Sequence, residues 1–308
     1  MDDSRRNFLK TVGGGALLLA GTDAMASPTH GGGPPVNDDA WGCLVETSLC
    51  VGCRKCEAAC NENNALPAPE TPFEDRSVCE TPRRPDDSAF TVVNKYQSEG
   101  WNDPAPVFNK FQCMHCNDPA CVSACIVGAL TKDPRGPVSY DADKCIGCRY
   151  CMVACPFQVP AYEYDNALTP RVMKCTYCLD RTSKGQLPAC AKICPEEAIT
   201  FGRRSDLLEI AHMRIEEGPE VHRKRATLLN HVYGEHEVGG TSWLYLSRVP
   251  FTEIGLPELP EEAPSRLTEK IQHGIFKFGF LPAALFGVLG ATMALFRVKK
   301  RVDEEVDE

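Results

Sequence analysis

Cys145, Cys148, Cys151 and Cys155 stand at i, i+3, i+6 and i+10, and Pro156 follows the last of them. Thiolates at this spacing do metal chemistry. Three close ones wrap a corner of an iron–sulfur cube, and a fourth, set off by a longer step, ligates the neighbouring cluster where clusters come in pairs. Such a stretch needs partners, and the chain holds three more. Cys50, Cys53, Cys56 and Cys60 repeat the spacing, while Cys113, Cys116, Cys121 and Cys125 carry two extra residues before the third cysteine. In the last motif Cys175 and Cys178 precede an eleven-residue interval, then Cys190 and Cys194-Pro195. Every motif opens C-x-x-C and closes C-x-x-x-C; only the distance between the halves varies.

Four motifs of four consume all but two of the 18 cysteines. Zinc also binds paired C-x-x-C units in tetrahedral sites, but it has no use for the compact triplets of motifs one and three. Four 4Fe-4S clusters are therefore expected, with iron held through the sixteen motif cysteines. His115 lies inside motif two, where four cysteines already complete the ligand set. Arg54, Lys55, Arg149, Lys174 and Lys192 lie in or beside the motifs, where positive charge raises the reduction potential of a cluster. Cys43 and Cys79 are left over, either as a disulfide formed after export or as buried free thiols. No phosphate-cradling glycine loop, nucleophile–base pair or missing cluster ligand suggests catalysis, so the expected role is an electron wire.

The elements that must position these thiols are short. Twenty-four Gly and 24 Pro in 308 residues point to a loop-rich fold pinned by metal rather than by long helices. A formal charge of −9 argues against nucleic acid as a partner. Gly128–Thr131 and Val138–Asp141 read as two short strands joined by a turn at Lys132–Gly136, and Glu197–Gly202 as one further such strand. Cys125–Cys145 and Cys155–Cys175 both span 20 positions, an internal repeat. The fold class is α+β: two fused two-cluster ferredoxin-like units with loop insertions and a C-terminal transmembrane helix. The cluster domain is placed at 27–215, with an insert at 61–112 read as a surface excursion and strand-like at Ala89–Asn94. Asp206–Glu217 reads as a short amphipathic helix. Residues 216–274 are expected to form a belt or docking segment outside the cluster domain.

Both ends carry signals. Arg5 and Arg6 form a twin-arginine pair ahead of a Gly-rich apolar stretch and a small-x-small site at Ala24-Met25-Ala26, so 1–26 reads as an export peptide. Phe278–Phe296 is uncharged and long enough to span a bilayer, which makes 275–296 an expected transmembrane helix. Arg297, Lys299, Lys300 and Arg301 then keep the tail, 297–308, in the cytoplasm. The expected location is the bacterial inner membrane, single-pass, with the globular part in the periplasm.

The four motifs resemble those of the four-cluster ferredoxin-type subunits of membrane-bound respiratory oxidoreductases, which serve formate dehydrogenase, nitrate and dimethyl sulfoxide reductases and hydrogenase-2. Gly239-Gly240-Thr241, Val249-Pro250-Phe251, Gly255-Leu256-Pro257 and Ile271-Gln272-His273 bring the resemblance nearest to the hydrogenase-2 electron-transfer subunits. Spacing alone leaves open whether motif three shares with motif two or motif four. The resemblance implies nesting, one with four and two with three. It groups Cys50, Cys53, Cys56 with Cys194; Cys113, Cys116, Cys121 with Cys155; Cys145, Cys148, Cys151 with Cys125; and Cys175, Cys178, Cys190 with Cys60. Asn61 and Ile126 depart from the usual C-P ending, which touches the local turn rather than ligation. The implied partners are periplasmic catalytic subunits of a nickel–iron hydrogenase and a quinone-reactive integral membrane subunit, with a molybdopterin enzyme such as formate dehydrogenase as the alternative. The implied orientation puts the motif one/four pair on the catalytic side. A metal-stabilised membrane scaffold without a redox role is the alternative of a different class.

Overall fold

β1 (Trp41–Glu46) is the strand on which the cysteine-bearing loops are hung. A computed structural model describes residues 40–97, 100–101, 105–166, 168–221, 227–268, 271, 284–294 and 297. The expected export peptide, most of the expected membrane segment and most of the basic tail lie outside the described residues. β1 alternates in the way a strand between two layers must. Cys43 and Val45 enter the main core, whereas Leu44 enters a second core on the opposite face. β8 (Ile199–Arg203) pairs antiparallel along one edge of β1, Trp41 opposite Arg203 and Val45 opposite Ile199. β9 (Trp243–Leu246) pairs parallel along the other edge, Cys43 opposite Trp243. β9 repeats the alternation, with Trp243 and Tyr245 facing the cysteine side and Leu244 and Leu246 the other.

The outer face is covered by α6 (Arg204–Val221), longer at both ends than the helix expected from the sequence. Leu207 and Ala211 of α6 pack on Leu44 of the sheet. The helix approaches closely enough that a Cβ on Gly42 would lie 2.9 Å from the Leu207 side chain and 3.2 Å from the Arg204 backbone. His212 on this helix faces Glu235 at 3.2 Å, so it has a structural partner.

The insert is not a surface excursion in its second half. β2 (Thr91–Tyr96) and β3 (Val107–Gln112) form an antiparallel pair whose Val92, Val107 and Phe111 belong to the main core. The first half is tied down to α1 (Lys55–Asn63), the helix that carries the last two cysteines of motif one, and to the arginine before it. Buried Arg54 donates to the carbonyls of Pro72 and Asp75, both at 2.7 Å. Buried Glu57 pairs with Arg54 at 2.9 Å and Arg83 at 2.6 Å, and accepts the Val93 N–H. The expected outer belt is likewise interior in its middle part. β9 and the residues after it supply Trp243, Tyr245, Val249, Phe251 and Ile254 to the main core. Both corrections have one cause: apolar side chains in irregular stretches find a core through long-range pairing that local pattern does not show.

Two smaller hairpins complete the frame. β4 (Leu130–Lys132) pairs with β5 (Val138–Tyr140), and β6 (Ala161–Tyr162) with β7 (Val172–Met173). Each occupies one of the two 20-position intervals of the internal repeat. Leu130, Val138, Cys151 and Val172 gather in a separate small core beside them. At the C-terminal end, 284–294 is helical with Leu285, Phe286, Val288 and Met293 exposed. Among the described residues no helix is long and apolar enough to cross a membrane.

Candidate metal centre

The four C-x-x-C loops share one backbone device. The residue before the second cysteine has positive φ in every motif: Gly52 (65°), His115 (47°), Gly147 (70°) and Tyr177 (57°). Left-handed backbone at that point curls the loop tightly and brings its two cysteines to the same side. Motifs one and three then repeat each other closely. In both, a strand leads through one 3-10 turn to the first cysteine, whose N–H donates to Thr47 or Ala142 at 3.2 Å. A left-handed arginine, Arg54 or Arg149, then starts the helix that carries the third cysteine, α1 or α3 (Tyr150–Ala154).

The C-terminal halves of the motifs close alike. In motifs two, three and four the N–H of Gly128, Gln158 or Glu197 donates to the carbonyl of the last cysteine three residues earlier, and all three have positive φ. Ile126 in place of proline leaves that turn intact. At Asn61 the outcome differs: without proline, α1 runs on to Asn63, and Asn64 caps it by bonding the Cys60 carbonyl. Motif two carries its last two cysteines on and just beyond α2 (Ala120–Ser123), and motif four on and beyond α5 (Ala189–Ile193). α4 (Leu179–Thr182) fills the longer interval of motif four.

The two strand pairs explain how distant motifs meet. Motif two leads into β4, and its partner β5 leads into motif three. Motif four leads into β8, and its partner β1 leads into motif one. The second pair is the same hairpin split between the two ends of the domain. It brings Cys194 beside motif one just as β4/β5 brings Cys125 beside motif three.

The thiols gather in four groups, buried for the most part in the first, second and fourth and partly exposed in the third. Burial pushes Cys50 up to about 12, and the neighbouring Cys194 and Cys53 add to the effect against an opposing Gly52 N–H. Cys50, Cys53, Cys56 and Cys194 line one cavity. Cys60, Cys175, Cys178 and Cys190 line another. Burial raises Cys60 as well, followed by its neighbours Cys175, Cys190 and Cys178. Cys116 is raised by burial and then by Cys121, Cys155 and Cys113. Cys151 is pushed up to about 11 by burial and then by Cys145, Cys125 and Cys148. No disulfide joins any of the 18 cysteines.

Charge acts between the groups in a single order. Cys56 of the first feels Cys190 of the fourth, Cys175 of the fourth feels Cys113 of the second, and Cys121 of the second feels Cys151 of the third. Cys148, in the third, is the one exposed cysteine. The donor set fits iron–sulfur clusters: sulfur ligands only, in quartets, with backbone N–H groups aimed at sulfur. Ala129 N–H lies 3.2 Å from Cys125 Sγ and Tyr177 N–H 3.4 Å from Cys175 Sγ.

Other candidates fall out differently. Cys43 is buried beside Tyr177, Cys190 and Cys175, and Cys79 is buried beside Glu57 and Cys50, so both are free thiols abutting different quartets. His115 is wholly buried, its Nδ1 accepting the Val138 N–H at 2.9 Å, and burial followed by Lys174 and Lys132 holds it well below its ordinary range. Of the five motif cations, Lys55, Arg149 and Lys192 are exposed, and Arg54 is neutralised by Glu57. Lys174 is buried and donates to the carbonyls of Val138 and Cys175. Sequence reasoning missed Lys110. It lies on β3 within the supposed excursion, is 2 % exposed, and lines both the first and the fourth cavities. Its only sequence signal is a position three residues before Cys113.

Thiol quartets on repeated turn-and-hairpin frames define a ferredoxin-like iron–sulfur protein, and residues 105–204 match the 4Fe-4S dicluster domain family. A protein of Nitratidesulfovibrio vulgaris is 51% identical over 255 residues, 82% of this chain and 67% of that one. Hydrogenase-2 operon protein HybA of Escherichia coli O157:H7 is 38% identical over 93% of both chains. The iron-sulfur subunit of the nitrate-inducible formate dehydrogenase of Escherichia coli K12 is 35% identical over 71% of this chain and 72% of its own. The chain belongs to the family of iron–sulfur proteins that contains HybA and the formate dehydrogenase iron-sulfur subunits.

Proposed function

We propose that this chain is the electron-transfer subunit of a periplasm-facing respiratory hydrogenase, relaying electrons between a catalytic heterodimer and a quinone-reactive membrane subunit. The observation that carries this reading is the continuous order of the four thiol quartets, first to fourth to second to third. Cys50, Cys53, Cys56 and Cys194 would hold the cluster at one end, and Cys145, Cys148, Cys151 and Cys125 the cluster at the other. Cys60, Cys175, Cys178 and Cys190, and Cys113, Cys116, Cys121 and Cys155, would hold the two between. Each 4Fe-4S cluster, when bound, accepts and releases a single electron.

The chain's own residues perform the rest. The left-handed loops orient the thiols and direct N–H groups at sulfur. The main core of Trp243, Tyr245, Phe111 and Tyr177 excludes water from the inner quartets. The first quartet is assigned to the catalytic partner and the third to the membrane side. Supporting that end, Cys148 is exposed and is flanked by exposed Ile126, Ile146 and Val153, an apolar rim suited to a partner surface. The twin-arginine pair Arg5-Arg6 and the uncharged run at 278–296 support export and anchoring in the inner membrane.

A second reading keeps the wire and exchanges the enzyme for a formate dehydrogenase, favoured by the likeness to that iron-sulfur subunit. Purification of the intact complex decides between them. Nickel and hydrogenase subunits should accompany the chain, whereas a molybdopterin subunit in their place overturns the hydrogenase assignment.

A further inference from the structure

We propose that Lys110 is a positioning residue that raises the reduction potentials of the two clusters on either side of it, those of the first and fourth quartets. The inference rests on the relay reading above. The first observation is placement: Lys110 lines both cavities, one with Cys50, Cys53, Cys56 and Cys194 and the other with Cys60, Cys175, Cys178 and Cys190. The second is that no carboxylate pairs with it among the described residues. Its Nζ donates to Gln112 Oε1 at 2.6 Å and stands 4.3 Å above the centroid of the Trp243 ring.

This cradle is fixed. Gln112 Nε2 donates to Tyr245 Oη at 2.6 Å, and that hydroxyl donates back to the Lys110 carbonyl at 3.0 Å. A buried ammonium without a counter-charge is costly. Thiolate-held clusters supply that counter-charge, because each is a net anion and becomes more negative by one charge on reduction. The attraction therefore grows as an electron arrives, which favours the reduced form and raises the potential. An electron leaving the first cluster for the fourth stays beside the same cation, so Lys110 lifts the pair together relative to the clusters of the second and third quartets. Arg54 and Arg149 are poor candidates for the same role, being ion-paired and solvent-exposed respectively.

The test is a potentiometric titration of the purified full-length chain, followed by electron paramagnetic resonance, for the native protein and for Lys110→Met and Lys110→Arg. Lys110→Met should lower two of the four potentials and leave two in place. The expected size is about a tenfold shift in the electron-exchange equilibrium between the pairs, or 59 mV for a one-electron couple. Lys110→Arg should restore the native values. If Lys110→Met does not retain iron, Lys110→Gln takes its place against Lys110→Arg, with the same expectation. Unchanged potentials in a fully loaded neutral variant overturn the inference, as does an equal shift of all four. So does loss of every cluster in all variants, arginine included, which would make the lysine purely structural. A native chain carrying no reducible clusters would instead remove the relay reading itself.

Discussion

Each motif cysteine is legible because its partners within the motif are fixed by spacing, but the fourth ligand proposed for every cluster comes from another motif. The structure places Cys194 beside Cys50, and the account expects Cys194→Ala to damage the site of motif one alone. Iron should fall by about one quarter, the share of one cluster in four. Spectroscopy that shows loss only at the Cys145 site would refute the nested pairing. Lys110 and Glu57 were not legible, since their roles depend on where a hairpin returns in space. Glu57 joins Arg54, Arg83 and the Val93 N–H in a buried network. Glu57→Ala leaves Arg54 buried without its counter-ion and should cost about 3–5 kcal/mol. Urea unfolding followed by circular dichroism checks this, and a change within experimental scatter would mean that the insert is held by its hydrophobic contacts instead.

At the scale of elements, the local devices were readable and the long-range pairings were not. The β4/β5 hairpin follows from its turn residues and alternation. The β1/β8 pair could not be read the same way, because the same hairpin is divided between residues far apart in the chain. β9 was hidden inside the stretch expected to form a belt or docking segment. The C-x-x-C loops give a sharp comparison. A Cβ on Gly52 would lie 2.2 Å from the Phe108 ring, whereas on Gly147 it would meet Tyr162 Oη at 2.7 Å, the free end of a side chain that can swing. Both glycines have positive φ, so both alanine variants bear backbone strain. Gly52→Ala should be the worse by about 1–3 kcal/mol, the cost of overpacking. Iron content and thermal midpoint of the two variants, measured side by side, test the ranking.

For the whole molecule, iron and fold are coupled. Removing iron leaves buried thiols whose ordinary value of 9.0 is pushed up to about 12 at Cys50 and Cys175 and about 11 at Cys151 and Cys178, in each case first by burial. Because the folded values are raised, the iron-free fold keeps this contribution below about pH 9 and loses it as pH rises through about 11 to 12. Chelator-treated protein should therefore show a falling urea midpoint above about pH 9, and a midpoint that rises there would contradict the burial of these thiols. With iron bound the dependence inverts, since acid competes with the metal for thiolate.

Iron, sulfide and electron stoichiometry of the full-length chain bear most directly on the relay. The account predicts about sixteen iron and about sixteen acid-labile sulfide per chain, with about four electrons taken up on reduction. Stoichiometric zinc in place of iron, or bound metal that accepts no electrons, would contradict it and leave a metal-stabilised scaffold as the better description.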